Sequence, residues 1–205
     1  MTDLITEDMT VPSEPGIDIF VRNKRPANLT AFTPERTLLF VHGSTYPAHT
    51  GFDIPLGGQS WMESIASHGY DVYCLDVRGY GRSTRPAAMD EPPQNNPPVT
   101  RTPDAVNDIT AVLNFILKRR NTGKLNLLGW SWGCTMMATT AMANPDKVAR
   151  LMRGARAVVV GNETLAAYAR AIGACAVHLV HSAVDTRRIG ATALPRDFTM
   201  GWIGT

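Results

Sequence analysis

Cysteine is scarce in this sequence, and its placement argues against two kinds of site. Cys74, Cys134 and Cys175 are odd in number, widely spaced and without a C-x-x-C pattern. This pattern disfavours both a disulfide framework and a cysteine metal site. We therefore expect buried free thiols in a reducing compartment.

Long apolar runs and an excess of charge are also missing. No apolar segment reaches the length of a membrane span, and the acidic start MTDLITEDMT lacks the basic and apolar regions of a signal peptide. The formal net charge of +2 is too mild and too scattered to indicate a nucleic-acid partner. We expect a cytoplasmic protein without a membrane span.

The composition is that of one globular domain. Of the 205 residues, 44% are hydrophobic and 19% are charged, which is ordinary for a chain that buries a core. Residues 1–15 are predicted to be a flexible polar lead. Residues 16–150 then carry the strand and helix patterns of the domain, and residues 151–205 form a tail of different composition.

Four segments are predicted to be strands. Residues 16–22 alternate apolar and polar side chains, which is typical of a half-buried edge strand. Residues 37–42 and 125–128 are apolar runs of the kind found in parallel strands buried on both faces, and residues 70–76 form another strand. The pattern predicts an α/β fold with a mostly parallel sheet and flanking helices.

Helices are predicted at residues 59–67, 102–120 and 134–144. The second is expected to have its N-cap at Thr102, because Pro103 and an acidic residue follow. The proline-rich residues 84–101 form a long surface loop. Arg78 and Arg82, which precede this loop, are expected to be solvated or structural.

The segment GWSWG at residues 129–133 follows a predicted strand and precedes a predicted helix. Its two glycines allow a turn too tight for a Cβ, and such a turn holds the serine hydroxyl above the sheet edge at the helix N-terminus. Ser131 is therefore a candidate nucleophile.

A second glycine turn, His42-Gly43, follows the predicted central strand. Ligands bind at this edge in open parallel sheets. His42 is nevertheless interpreted as a structural residue, as are His49 and His68, because only perturbed histidines in clefts do chemistry.

Three motifs together resemble a known family. HGSTYP after one strand, DVRGYGRS after the next and GWSWG after a third resemble the α/β-hydrolase superfamily, in the branch of serine esterases, lipases, acyltransferases and proline iminopeptidases. The resemblance covers about residues 16–150, and it implies that the loop at residues 84–101 either lines the entrance to the site or is a plain connector. The tight turn at residues 129–133, called the nucleophile elbow in this family, carries serine rather than aspartate. This serine argues against the haloalkane dehalogenase and epoxide hydrolase branches.

The resemblance implies roles for individual residues. Ser131 is the implied nucleophile, and the backbone N–H groups of Ser44 and Trp132 are the implied oxyanion hole. Trp130 and Tyr46, together with Trp132, are expected to shape the substrate pocket, with plain core packing as the alternative for the tryptophans. No metal or cofactor is expected.

The resemblance ends near residue 150, so the hydrolase fold is expected to be incomplete at the C-terminus. The family's chain order is serine, acid, histidine, but Asp185 and Asp197 follow the last histidine, His181. Neither His178 nor His181 can therefore be matched to the family's histidine, and the triad acid is likewise unmatched.

Two hypotheses account for the tail. Residues 157–160 and 176–181 can form strands around a helix from Asn162 to Gly173, which makes a short βαβ extension. Alternatively, a change of reading frame near Leu151 joins an unrelated tail, because alanine and arginine are enriched there and no lysine follows Lys147.

Two functions follow from these observations. The first is a serine hydrolase that acts on a small-molecule ester or related acyl substrate through an acyl-enzyme at Ser131. The alternative is a catalytically defective or truncated hydrolase-fold protein that lacks the triad acid and histidine. Labelling of Ser131 by an active-site probe discriminates between the two.

Overall fold

The computed structural model describes residues 3–150 and three short strands beyond them. The strands are β1 Leu4–Glu14, β2 Ile17–Pro26, β3 Thr37–Val41, β4 Asp71–Leu75, β5 Leu125–Gly129, β6 Val148–Arg150, β7 Val158–Val160, β8 Val177–Leu179 and β9 Trp202–Ile203. The helices are α1 Ala48–Phe52, α2 Trp61–Ser67, α3 Thr102–Arg120 and α4 Trp132–Ala143.

The first six strands form one mixed sheet in the order β1-β2-β4-β3-β5-β6. Strands β4, β3, β5 and β6 are parallel, whereas β2 runs antiparallel to both β1 and β4. The predicted central strand is confirmed, since β3 lies between β4 and β5 and all five of its residues are buried. The carboxyl ends of β3 and β5 therefore meet at one edge of the sheet.

Alternate residues of the central strands pack against helices on opposite faces of the sheet. Leu39 and Val41 belong to a core that includes α3 and α4, whereas Leu38 and Phe40 pack with α1 and α2. This two-sided burial explains why β3 is apolar throughout rather than alternating.

The prediction that residues 1–15 form a flexible lead is wrong, because Leu4–Glu14 is an eleven-residue strand. Its polar side chains have partners on the neighbouring strand: Asp8 lies opposite Arg22 and accepts a hydrogen bond from its Nε at 2.7 Å. This bond is the main reason that the pKa of Asp8 is lowered to about 2. The second strand is consequently not an edge strand, since β1 covers it.

Helix termini differ from the prediction at all three predicted helices, and α4 begins at Trp132 rather than at residue 134. Helix α2 begins after Ser60, which forms a capping box with Glu63: the Glu63 N–H donates to the Ser60 hydroxyl, and the Ser60 N–H donates to the Glu63 carboxylate. At α3 the cap position is Arg101 rather than Thr102, and the Asp104 carboxylate accepts the Arg101 N–H at 2.9 Å.

The loop at residues 84–101 is long and largely exposed, as predicted, and contains two short 3₁₀ turns at Ala87–Asp90 and Pro93–Asn95. Thr100, near its end, donates a hydrogen bond to the Arg78 carbonyl at 3.1 Å. This bond fixes the end of the loop beside the carboxyl end of β4.

Both strands of the predicted βαβ extension are present in the tail. Strands β7 and β8 pair in parallel, with Val158 opposite Val177, and β9 pairs in parallel on the other side of β7. The helix predicted from Asn162 to Gly173 lies outside the described residues. The strands favour the extension, and the reading-frame change stays a hypothesis about the coding sequence.

No helix within the part of the chain that the structure describes is long and apolar enough to cross a membrane.

A buried ion pair joins the loop after β4 to helix α3. The Asp108 carboxylate is fully buried and accepts hydrogen bonds from Nε, Nη2 and the backbone N–H of Arg78. Ser13 donates a further bond to it at 2.7 Å, and Glu14 accepts from Arg78 Nη1 at 2.7 Å. The arginine is thus structural, in agreement with the prediction.

We predict that Asp108→Asn lowers the free energy of unfolding by about 3 kcal/mol, because removal of one partner leaves the other charge of a buried pair uncompensated. The matched control is Asp90→Asn, since the ion pair between Asp90 and Arg85 is exposed. The control should cost less than about 1 kcal/mol. Urea denaturation of both variants measures the difference, and equal losses would contradict the prediction.

Candidate active site

Ser131 occupies a backbone conformation that is unusual for a residue with a side chain. Its φ is 55° and its ψ is −123°, which are close to the angles of the first central residue of a type II′ turn, a position that glycine usually fills. The turn is closed by a hydrogen bond of 2.8 Å from the Gly133 N–H to the Trp130 carbonyl. Helix α4 begins directly afterwards at Trp132.

Close backbone packing requires glycine on both sides of Ser131. A Cβ at Gly133 would lie 2.2 Å from the Val41 carbonyl oxygen, and a Cβ at Gly129 would lie 2.5 Å from the Gly133 carbonyl oxygen. Both distances are far below van der Waals contact. The start of α4 is therefore pressed against the end of β3, which explains the two glycines of the pentapeptide.

Gly43 brings the loop after β3 against the serine. A Cβ at this position would lie 2.9 Å from the Ser131 Cβ and 3.3 Å from its Oγ. The Gly43–Ser44 peptide is consequently next to the candidate nucleophile.

A cavity of about 460 Å³ opens at this edge of the sheet. The described residues that line it are Ser44, Tyr80, Thr100, Ser131, Trp132 and Thr135. Hydroxyl groups and one indole dominate this lining, and these six residues include no charged side chain.

The cavity brings together three of the five predicted site residues. Ser131, Ser44 and Trp132 all line it, whereas Trp130 and Tyr46 are absent from the described lining and are 45% and 69% exposed. The Trp132 indole is anchored, because its Nε1 donates to the Thr102 hydroxyl at 3.1 Å. The place of Trp130 and Tyr46 in a substrate pocket stays a prediction.

The backbone N–H of Trp132 is free of intrahelical partners by geometry, since it belongs to the first turn of α4. The helix macrodipole adds positive potential at this end. The N–H groups at the start of α4 therefore suit a negatively charged oxygen beside Ser131.

His42 is held on both ring nitrogens and is almost wholly buried. Its Nε2 accepts the Val77 N–H at 3.0 Å, so the ring proton is on Nδ1, which donates to the Gly43 carbonyl at 2.6 Å. Burial lowers the pKa of His42 and keeps the ring neutral. The structural interpretation of His42 is confirmed, because neither nitrogen is available to Ser131.

The Asp76 carboxylate accepts hydrogen bonds from two segments at the edge of the sheet where the cavity opens. This carboxylate is buried and accepts the N–H of Ala48 at 2.7 Å and that of Arg82 at 3.0 Å. The Arg82 side chain bonds instead to Asp8, at 2.6 Å. Asp76 thereby fixes α1 and the glycine-rich loop after β4 around the cavity.

Sequence reasoning missed three lining residues. Tyr80 lies between two glycines of DVRGYGRS, which was a signal for a residue at a turn beside the site. Thr135 is four residues after Ser131, so it lies on the same face of the helix one turn on. Thr100 carries no comparable signal, because it ends a loop of irregular sequence.

A family model now identifies the fold. The model described as the alpha/beta hydrolase fold matches residues 36–152, which is more than half of the chain. The chain belongs to the α/β-hydrolase fold family. The match includes β3, the elbow at Ser131 and β6, and so the resemblance to the α/β-hydrolase superfamily is confirmed, whereas the serine-esterase branch stays a prediction.

Solved structures of α/β hydrolases share the fold with this chain. A predicted CIB-like hydrolase from Thermoplasma acidophilum is 16% identical, with a TM-score of 0.59 over 88% of each chain. An epoxide hydrolase from Vigna radiata is 20% identical, with a TM-score of 0.50 over 77% of this chain. The present α/β-hydrolase chain spans 38% of the length of that enzyme. No curated protein matches this chain in sequence.

The unusual conformation of Ser131 should affect the free energy of unfolding of variants at this position. A residue with a side chain that is held at such angles destabilises the folded state by about 1–3 kcal/mol. Glycine adopts the same angles without this destabilisation. Ser131→Gly should therefore have a free energy of unfolding about 1 kcal/mol above that of Ser131→Ala, after the greater flexibility of glycine in the unfolded chain is subtracted. For a chain of this size the melting temperature should differ by about 2–4 °C.

The matched control is Ser64, in the middle of helix α2. There the order should reverse, with the glycine variant about 1 kcal/mol less stable than the alanine variant. If the pair at position 131 shows the same order as the pair at position 64, the elbow is not strained.

Proposed function

We propose that this α/β-hydrolase chain is a serine hydrolase that acts on a small-molecule ester or related acyl substrate. The observation that carries the proposal is the strained turn at Ser131, which holds a hydroxyl at the start of a helix beside a cavity. Strained backbone of this kind clusters at functional sites. A surface serine without a role would not require three glycines to accommodate it.

The proposed chemistry is acyl transfer to water. The Ser131 Oγ attacks the substrate carbonyl carbon, and the C=O electron pair moves onto the carbonyl oxygen. The N–H groups of Ser44 and Trp132 would stabilise this oxyanion, which is the largest contribution in many such sites. Collapse of the intermediate expels the leaving group, which carries away the proton that Ser131 lost. Water then adds to the acyl-enzyme, so that its hydroxyl goes to the acid product and its proton returns to Ser131.

The described part of the cavity lining supplies no side-chain base for Ser131. Among the described residues that line the cavity there is neither a histidine nor a carboxylate, and both nitrogens of His42 already have backbone partners. His178 lies in β8, and His181 lies outside the described residues. Neither is proposed as the base.

This observation favours a second candidate function, a hydrolase-fold protein that is catalytically defective. An oxyanion hole and substrate binding alone retain about a thousand- to ten-thousandfold acceleration over water when a triad member is lost. Such a protein would react slowly with activated esters and would not turn over unactivated ones.

The proposed substrate is a neutral acyl compound. The described residues that line the cavity are uncharged and rich in hydroxyl groups, so they offer hydrogen bonds but no ion-pair partner for a charged acyl group. Epoxide hydrolysis, named for the Vigna radiata neighbour, is not proposed, because the elbow carries serine where that branch is expected to carry aspartate.

Labelling by a fluorophosphonate probe tests the proposed function. We expect one equivalent of probe to attach to Ser131, because phosphonylation uses the same nucleophile and oxyanion donors as acylation. Mass spectrometry of the modified peptide identifies the residue. Ser131→Ala should lose the label, whereas the control Ser64→Ala should keep it.

The rate distinguishes the two candidate functions. Rapid labelling together with turnover of an aryl acetate supports the serine hydrolase. Slow labelling without turnover supports the defective protein. Absence of any label at Ser131 in folded protein rejects the serine hydrolase and also supports the defective protein.

A further inference from the structure

The orientation of one peptide plane decides whether the cavity can hold an oxyanion. The Gly43–Ser44 peptide lies against Ser131, as the close approach of Gly43 shows. In a planar trans peptide the C=O and the N–H point in opposite directions. If the Gly43 carbonyl faced the cavity, the Ser44 N–H would face away from it, and a carbonyl would repel a developing negative charge.

His42 holds this carbonyl on the side away from the cavity. Its Nδ1–H donates to the Gly43 oxygen at 2.6 Å, and the ring is 2% exposed and does not belong to the described lining. The ring itself is fixed, because its Nε2 accepts the Val77 N–H at 3.0 Å. A flipped peptide would leave a buried N–H donor on His42 without an acceptor, which is costly.

Tyr80 restrains the following peptide. Its hydroxyl donates to the Ser44 carbonyl at 2.6 Å, and its ring packs against the His42 ring with centroids 4.7 Å apart. Val77 and Tyr80 belong to one turn, in which the Tyr80 N–H donates to the Val77 carbonyl at 3.0 Å. One turn after β4 therefore holds the Ser44–Thr45 peptide directly, through Tyr80, and the Gly43–Ser44 peptide indirectly, through the His42 ring.

We propose that His42 and Tyr80 are positioning residues that hold the Ser44 N–H toward the oxyanion beside Ser131, an inference that rests on the proposed hydrolase function. Neither side chain touches the reacting atoms in this role. His42 sets the Gly43–Ser44 peptide directly, and Tyr80 prevents the adjoining peptide from rotating with it. The glycine-rich loop after β4 thus controls a donor supplied by the loop after β3.

The test compares Tyr80→Phe, which removes only the hydroxyl, with two changes at position 42. His42→Leu removes the donor, whereas His42→Asn retains an N–H near the position of Nδ1. The matched controls are His68→Asn and Tyr70→Phe. His68 directly follows α2 and Tyr70 directly precedes β4, and neither belongs to the described cavity lining.

The readouts are kcat and KM for an aryl acetate and the rate of fluorophosphonate labelling. Loss of one oxyanion donor lowers kcat by about 100- to 1,000-fold, so we expect this loss in His42→Leu, a loss of about tenfold in Tyr80→Phe, and partial rescue in His42→Asn. KM should stay within about twofold, because the donor acts on the transition state rather than on substrate binding. Thermal melting checks that each variant is folded.

The outcomes separate this proposal from the proposed function. If the wild type reacts and Tyr80→Phe and folded His42→Leu react equally fast, the positioning role is wrong and the hydrolase stands. If the wild type does not react, the hydrolase proposal fails, and crystal structures of the variants decide the positioning role. A Gly43 carbonyl turned toward Ser131 in Tyr80→Phe or His42→Leu then supports it, and an unchanged peptide in both overturns it.

Discussion

The rest of the site depends on one constraint, the close contact between the end of β3 and the turn that carries Ser131. The start of α4 can approach the Val41 carbonyl only because position 133 is glycine, and Gly43 in turn allows the next loop to reach the Ser131 side chain. This contact forces Ser131 to a positive φ and brings Ser44 and Trp132, whose backbone N–H groups are the proposed oxyanion donors, to one cavity. The chemistry proposed for the protein follows from backbone geometry more than from charged side chains.

Charged side chains stabilise the loops around that contact. The ion pair between Arg78 and Asp108 joins the loop after β4 to α3, and Asp76 fixes the same loop through backbone N–H groups. The neutral His42 ring also joins these loops. One ring nitrogen bonds to the Gly43 carbonyl after β3, and the other accepts the Val77 N–H after β4, while burial lowers the pKa of the ring. The described cavity lining is thus uncharged and lies beside hydrogen-bonded polar groups that hold the loops, which suits a site that must stabilise charge only as it develops.

The parts of the fold that sequence reasoning predicted are those with strong local patterns. Strand β3 is buried on both faces and therefore apolar at every position, and the elbow is marked by glycines that the contact demands. Strand β1 was missed because its acidic residues suggest a solvated lead, whereas Asp8 is matched by an arginine that is distant in sequence. The glycines around Tyr80 mark its turn, but its role was missed for the same reason, because that role depends on a hydrogen bond to Ser44 across 36 positions. Local patterns carry no information about such partners.

The central claim is that Ser44 and Trp132 donate to an oxyanion on a group attached to Ser131. The most direct measurement is a crystal structure of the phosphonylated protein, because the phosphonyl oxygen occupies the position of the oxyanion. We predict that this oxygen lies about 2.7–3.1 Å from the backbone nitrogens of both residues. A phosphonyl oxygen that points away from both N–H groups, or an adduct on a residue other than Ser131, would contradict the account.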